Sequence, residues 1–481
     1  MRTDWYKPVM AAAGASLRPE TFNFAIRQGG PFYMPVDPVA YVESLLPKFT
    51  DEDMRYLQSR GLGLGQEYRR ALGAPVEVHG VPKGAWFSDR EVILTVTGPS
   101  ALVSYLEAQI IWLRFRIQVA TAAKLQPESL PAMLSVATTE REREIILEAL
   151  DAAGHRPNFE IAVDTEGYVA HIKARATALI EAVGDPGRLF EAGMRAASCA
   201  EQHIVAVGAA RDVGFLATSN VEAARTLGMH AGGTTGHEHT QRYGSDLDAF
   251  LAVRDRVDGE VTFLLDTYST RFSGIPTALR VMGQTPDRLC SIRFDSESTM
   301  EGDYLLGVHA MRESGLEAPI TLGGGFTLDR TQTFEALRIQ NKWPADKQRY
   351  MVGQYLVEPH VPLPTRGDVG AVYKLSQSGE SPTMKFSDSA AKSSAPGVPV
   401  TWRLMSPGRA DRGDRPIGII GQLGEQPPAD YAVLTDGRTM HTPPAMLADV
   451  KPSLSPATQA LVDSLKQSRL TQIAEAAQAT I

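Results

Sequence analysis

A chain of 481 residues with 43% hydrophobic composition can bury one large domain and a smaller companion, which excludes a disordered protein. Its 48 basic and 56 acidic residues leave a formal charge of −8, so no global attraction to nucleic acid or an anionic membrane is expected and any anionic ligand must be held locally. Two cysteines, Cys199 and Cys290, are too few for a disulfide framework or a thiolate cluster; with no secretory pattern and no run of roughly 18 apolar residues, a cytoplasmic location is expected.

In chain order, residues 21–26 alternate Phe22 and Phe24 with polar neighbours and predict a strand. Gly61-Leu62-Gly63-Leu64-Gly65 lies between two helical patterns, so it reads as a helix terminus and turn and not as a dinucleotide fingerprint. Residues 91–96 predict a second strand. Over 99–123, Leu102, Tyr105, Leu106, Ile110, Leu113 and Ile117 recur at helical spacing and predict one long amphipathic helix. Residues 1–125 are thus a mixed α/β module. Over 126–365 short apolar runs (203–208, 261–265, 289–294, 319–322) alternate with helical stretches, the pattern of parallel strands joined by helices. A barrel is favoured over an open sheet because titratable residues sit where strands end. Residues 366–481 predict a strand at 370–375, a polar loop over 376–399 holding Lys385, Asp388 and Lys392, and a polar helical tail from Pro443.

Three strand ends carry the chemistry. Gly233-Thr234-Thr235-Gly236-His237-Glu238 places an imidazole behind a turn whose small residues let backbone approach an anion, and that imidazole can accept a proton or a phosphoryl group. The competing reading is a hydrogen-bonded structural histidine. His239 lies two residues on, which is not metal-motif spacing, so no protein-held metal is expected. Asp266 and Asp295 each follow an apolar run and suit ribose hydroxyls, magnesium or a developing positive charge at a sugar carbon; helix capping is the alternative. Arg293 lies inside an apolar strand and must meet an anionic ligand or a carboxylate such as Asp266 or Asp295. Gly323-Gly324-Gly325 after a strand, and more weakly Gly353, can present amides to phosphate or simply turn the chain.

Taken together these segments resemble the nicotinate phosphoribosyltransferase family of type II phosphoribosyltransferases, from Asp4 to about Leu404. The resemblance rests on Asp4-Trp5-Tyr6-Lys7, Glu191-Ala192-Gly193-Met194-Arg195, Thr218-Ser219-Asn220-Val221, the His237 segment, Asp266-Thr267-Tyr268, Arg293-Phe294-Asp295-Ser296 and Val372-Tyr373-Lys374-Leu375. Lys385-Phe386-Ser387 and Lys392-Ser393, with Pro396-Gly397, resemble the C-terminal portion. It implies an irregular (β/α) barrel with an α/β sandwich domain built from N- and C-terminal segments, acting as a homodimer with shared sites. The implied reaction joins nicotinate to phosphoribosyl pyrophosphate, with ATP as co-substrate, phospho-His237 as the coupling species, and Mg2+ carried by the phosphoribosyl pyrophosphate. Arg195 and Arg293 would orient the nicotinate carboxylate and nearby phosphate, Asp266 and Asp295 the ribose side, and Tyr6 of the other subunit one ring face. Thr218 and Ser219 would line the acceptor pocket, where related amide-using enzymes carry an acid in place of Ser219. Gly323, Gly324, Gly325 and Gly353 would take phosphate.

The chain departs from the family pattern at Ala192, where a stacking phenylalanine is usual, at Ser296-Glu297-Ser298 and at Gln354. These leave two alternatives beside nicotinate phosphoribosyl transfer: a different heteroaromatic acid as acceptor, or a catalytically silent ligand-binding relative.

Overall fold

The computed structural model describes residues 1–386, 394–405, 415–434, 442–448 and 450–478. Ser387, Lys392 and Ser393, read above as part of the C-terminal portion, and Asp388 of the polar loop lie outside the described residues.

Seven strands, β1 Leu189–Glu191, β2 Ala217–Thr218, β3 His230–Ala231, β4 Val261–Leu264, β5 Cys290–Phe294, β6 Ile320–Leu322 and β7 Gln348–Val352, form one parallel sheet. Their spatial order is β3-β2-β1-β7-β6-β5-β4. The first strand in sequence therefore pairs with the last and the sheet curls round, while β3 and β4 at its edges share no ladder. The result is a half-barrel, coarser than the barrel expected from the sequence. Strands β4, β5 and β6 are buried at every position because helices such as Asp246–Arg256, Ile275–Gln284 and Met300–Glu313 alternate with them in the chain. Burial on both faces explains why these strands read as continuous apolar runs.

One expected strand is corrected. Residues 203–208 lie in the helix Ala200–Asp212, which buries Gln202, His203, Ala206, Val207, Ala209 and Ala210. A six-residue apolar window carries too few turns to separate a period of 3.6 from a buried strand. The expected 99–123 helix is two, Ser100–Tyr105 and Glu107–Leu125, meeting at Leu106. The second is buried almost all round, and its polar residues serve the interior. Arg114, 1% exposed, donates to the carbonyls of Ala196, Ala197 and Pro364 at 2.7–3.0 Å.

A five-stranded antiparallel sheet takes strands from both halves of the chain, in the order Ser381–Pro382, Val372–Ser378, Pro19–Ala25, Leu94–Pro99, Glu77–Gly80. Strand 19–25 lies between 372–378 and 94–99, so N- and C-terminal segments build one layer. A further four-stranded sheet uses Tyr431–Val433, Pro399–Leu404, Gly418–Gln422 and Ser453–Leu454. The helix Tyr6–Ala12 docks against the half-barrel. Trp5 N–H donates to Ser219 O at 2.6 Å, Tyr243 Oη donates to Ala13 O at 2.7 Å, and the buried pair Arg242–Glu20 closes at 2.7 Å.

Candidate active site

The carboxyl ends of the strands open into a cavity of about 570 Å³, which is where a parallel sheet with helical crossovers concentrates loops and free amides. Tyr6, Arg195, Ser219, His237, Arg293, Asp295, Gly323, Gly324, Gly325 and Gly353 all line it. Thr218 does not; its buried hydroxyl donates to Glu191 Oε2 at 2.5 Å.

His237 opens the helix His237–Tyr243 after the loop that leaves β3. The loop runs against Tyr6, since a Cβ at Gly233 would stand 3.2 Å from Tyr6 N and one at Gly236 3.1 Å from its ring. His237 Nδ1 lies 3.2 Å from Thr267 Oγ1, and Nε2 lies 3.0 Å from Lys385 Nζ. Asp295 and Asp266 carboxylate oxygens stand 3.6 and 3.8 Å from Nε2. Burial pushes the imidazole pKa down and Lys385 adds to it, outweighing the two aspartates. At neutral pH the ring is uncharged, with Nε2 accepting from the lysine ammonium and Nδ1–H donating to the threonine hydroxyl.

Arg293 meets a carboxylate, one of the two partners expected of an arginine in an apolar strand. It donates to Thr234 Oγ1 at 2.7 Å and to Asp295 Oδ1 at 2.5 Å, and it faces the cavity. Burial would raise the Asp295 pKa, but Arg293, His237 and Lys385 together hold that carboxyl well below the usual range. Asp266 Oδ2 accepts from Ser296 Oγ at 2.7 Å, while its buried Oδ1 has no hydrogen-bond partner among the described residues. His237, Asp266 and Asp295 offer donor atoms within 4.8 Å of one another, a spacing that would admit a cation. Lys385 stands against the histidine from the same side as the carboxylates, so the two aspartates are the natural cation-facing pair.

On the opposite wall Glu107 gathers three groups: the Tyr6 hydroxyl, Arg195 at 3.5 Å and Lys7 at 2.7 Å. Lys7 also pairs with Glu238 at 2.9 Å. Burial and Glu107 keep the Tyr6 hydroxyl protonated, and Glu107 and Asp4 raise Arg195 against its burial; Glu107 is held far below the usual range because Lys7 and Arg195 outweigh its burial. Tyr6 thus lines the cavity of its own chain, where the resemblance implied a residue supplied by another subunit. Ser219 Oγ donates to Asp4 Oδ1 at 2.6 Å. At the phosphate end, Gly324 adopts φ +80°, and a Cβ there would lie 2.4 Å from Asp295 O. A Cβ at Gly323 would lie 2.9 Å from Asp295 Oδ1, and one at Gly353 3.0 Å from Ala192 O. Only glycine allows so close an approach at 324.

His239 points away: Nε2 bonds Ala249 O at 2.9 Å, the ring packs 4.9 Å from Tyr243, and burial followed by Arg242 pushes its pKa down to about 3. It is structural.

The sequence did not single out Glu107, Arg366, Lys374 or Lys385 as site residues, yet all four line the cavity. Lys374 and Lys385 fall inside segments that carry the family resemblance, which was the available signal. Burial lowers Lys374 to about 7, with Lys385, Arg195 and Arg27 adding to it against Glu107, and burial with Arg195 lowers Arg366 to about 10. Cations gathered round one cavity in this way favour an anionic ligand between them.

No family model matches the chain. It is 30% identical over 248 residues to the nicotinate phosphoribosyltransferase of Bacillus subtilis, covering 50% of this chain and 48% of that one. The chain spans about half the length of the curated relatives it matches. In fold it is similar to a candidate nicotinate phosphoribosyltransferase of Saccharomyces cerevisiae, with TM-score 0.58, 16% identity, and 81% of this chain and 93% of that one covered. It is similar also to the nicotinate phosphoribosyltransferase of Porphyromonas gingivalis, with TM-score 0.56, 17% identity, and 82% and 94% covered. The chain therefore resembles the nicotinate phosphoribosyltransferase family, in sequence over half its length and in fold over most of it.

Proposed function

We propose that this chain is a nicotinate phosphoribosyltransferase of NAD salvage, joining nicotinate and phosphoribosyl pyrophosphate to nicotinate mononucleotide and pyrophosphate. The supporting observation is the convergence of Arg195, Arg293, Asp295 and His237 on one cavity. The nicotinate ring nitrogen carries a free lone pair at neutral pH, so the site needs no general base. It needs to hold the ring in line and to stabilise the cationic sugar carbon as pyrophosphate departs. Arg195 and Arg293 serve the carboxylate and nearby phosphate, and Tyr6 and Ser219 flank the ring. Asp266 and Asp295 face the ribose and the magnesium that enters on phosphoribosyl pyrophosphate, and the glycines at 323–325 and 353 leave room for phosphate. Ser219, unlike an acid, does not repel the acceptor carboxylate.

ATP enters through His237. The Lys385 ammonium, 3.0 Å from Nε2, turns to the phosphoryl oxygens and frees that lone pair; the neutral imidazole then attacks the γ-phosphorus with Nε2, and a P–N bond forms as the P–O bond to ADP breaks, with the proton kept on Nδ1. Homodimerisation is part of the proposal, though the chain itself supplies Tyr6 to its cavity.

Ala192 on the cavity wall favours a second reading, in which the acceptor is a bulkier heteroaromatic acid. Pyrophosphate release across a panel of such acids separates the two, and nicotinate ranking far below another acid overturns the first. ATP-derived phosphohistidine that disappears in His237→Ala supports the coupling. Ligand binding with no product from any acid identifies a silent relative instead.

A further inference from the structure

A second cavity, of about 870 Å³, lies between the helices Asp246–Arg256 and Ile275–Gln284 and the C-terminal helix Pro456–Gln478. Asp246 is 2% exposed and lines it. One of its carboxylate oxygens, Oδ2, accepts from Ser273 Oγ, while Oδ1 is buried with no hydrogen-bond partner among the described residues. A lone carboxylate oxygen in such a place is costly unless a donor reaches it. Burial pushes this carboxyl up to about 7, against the Ser273 bond and with Asp266 adding to the shift. Asp248 and Glu475 share the wall with Arg280, so carboxylates exceed cations there, and Leu247, Leu279 and the Tyr268 ring supply apolar surface.

We propose that this cavity is an effector site for a small organic cation, an alkylammonium group donating to Asp246 while its carbon chain lies on the apolar wall. An ammonium supplies the missing donor, matches the excess of carboxylates, and can rest against an aromatic face. The site stands directly behind the catalytic loop. Tyr268 and Ser273 of its wall belong to the segment that begins with Asp266 and Thr267, and Thr267 bonds His237. Arg469 of the C-terminal helix holds the same segment through the Tyr268 carbonyl at 2.8 Å. A ligand seated here bears on the loop that orients the imidazole.

The test is calorimetric titration of the full chain with 1,4-diaminobutane at pH 8, beside magnesium chloride at equal ionic strength. Saturable binding of the diamine is expected, about tenfold weaker in Asp246→Asn, which keeps the Ser273 contact and loses the charge. Arg280→Gln, on an exposed position, is expected to bind several-fold tighter, and it decides the matter should the first variant not fold. No saturable heat from the diamine, equal affinity for Asp246→Asn, or preference for magnesium overturns the site. An unmoved His237 titration by NMR at saturating diamine overturns its effector role.

Discussion

Replacing Arg293 by alanine removes two donations at once, to Thr234 at 2.7 Å and to Asp295 at 2.5 Å, from a side chain that is 9% exposed. If the free face of the guanidinium also grips the acceptor carboxylate, the loss is at least one charge-assisted hydrogen bond, roughly 1.5–3 kcal/mol. At about 1.4 kcal/mol per factor of ten, kcat/KM falls roughly tenfold to 150-fold. Removing Arg293 also takes away the largest influence lowering the Asp295 pKa. That carboxyl then protonates at higher pH, so the acidic limb of the kcat/KM profile moves upward. Arg293→Lys should recover little, because one ammonium cannot reproduce a planar fork aimed at two oxygens. Steady-state pyrophosphate release between pH 5 and 8 reads both effects. A wild-type kcat/KM with an unmoved acidic limb refutes the reasoning and leaves Arg293 as a strut between β5 and the Thr234 loop.

Lys7→Met leaves Glu107 and Glu238 buried without their shared cation, side chains only 5% and 9% exposed. It should cost about 3–5 kcal/mol in urea unfolding, and a loss under 1 kcal/mol would show the carboxylates protonate at little cost. Ala192→Phe should tighten nicotinate binding by about tenfold through one ring stack of about 0.5–1.5 kcal/mol, read by titration; weaker binding points to a larger natural acceptor. His239 is lowered to about 3 in the fold against about 6.5 unfolded, so the unfolded chain takes up the proton first. Its contribution to stability is therefore full above pH 6.5 and falls by about 1.4 kcal/mol per unit as pH drops from 6.5 toward 3. His239→Gln should flatten that decline between pH 7 and 5, and an unchanged slope would remove His239 as its source.

Much of the candidate site was legible because chemistry at strand ends is a local property. An apolar run followed at once by Asp266 or Asp295, or by three glycines, marks a chain leaving a buried sheet, and those residues do meet on one cavity or beside it. The run 203–208 misled because a fully buried helix and a fully buried strand look alike over six residues. Thr218 was placed at the ligand by the motif it shares with Ser219, yet it ends its strand with its hydroxyl turned to the buried Glu191, while Ser219 beyond the strand lines the cavity.

Composition, periodicity and motif order by themselves determined a mixed α/β chain with parallel strands, its strand-end acids and histidine, and the family it resembles. Only the tertiary structure decided that Lys7, already paired with Glu107, meets Glu238 across 231 positions, and that Lys385 meets His237 across 148. It also decided that the curled sheet stays open between β3 and β4. Periodicity records whether a residue is buried but not which distant residue buries it, because an ion pair needs only complementary charge and free space, and chain folding alone brings the two together.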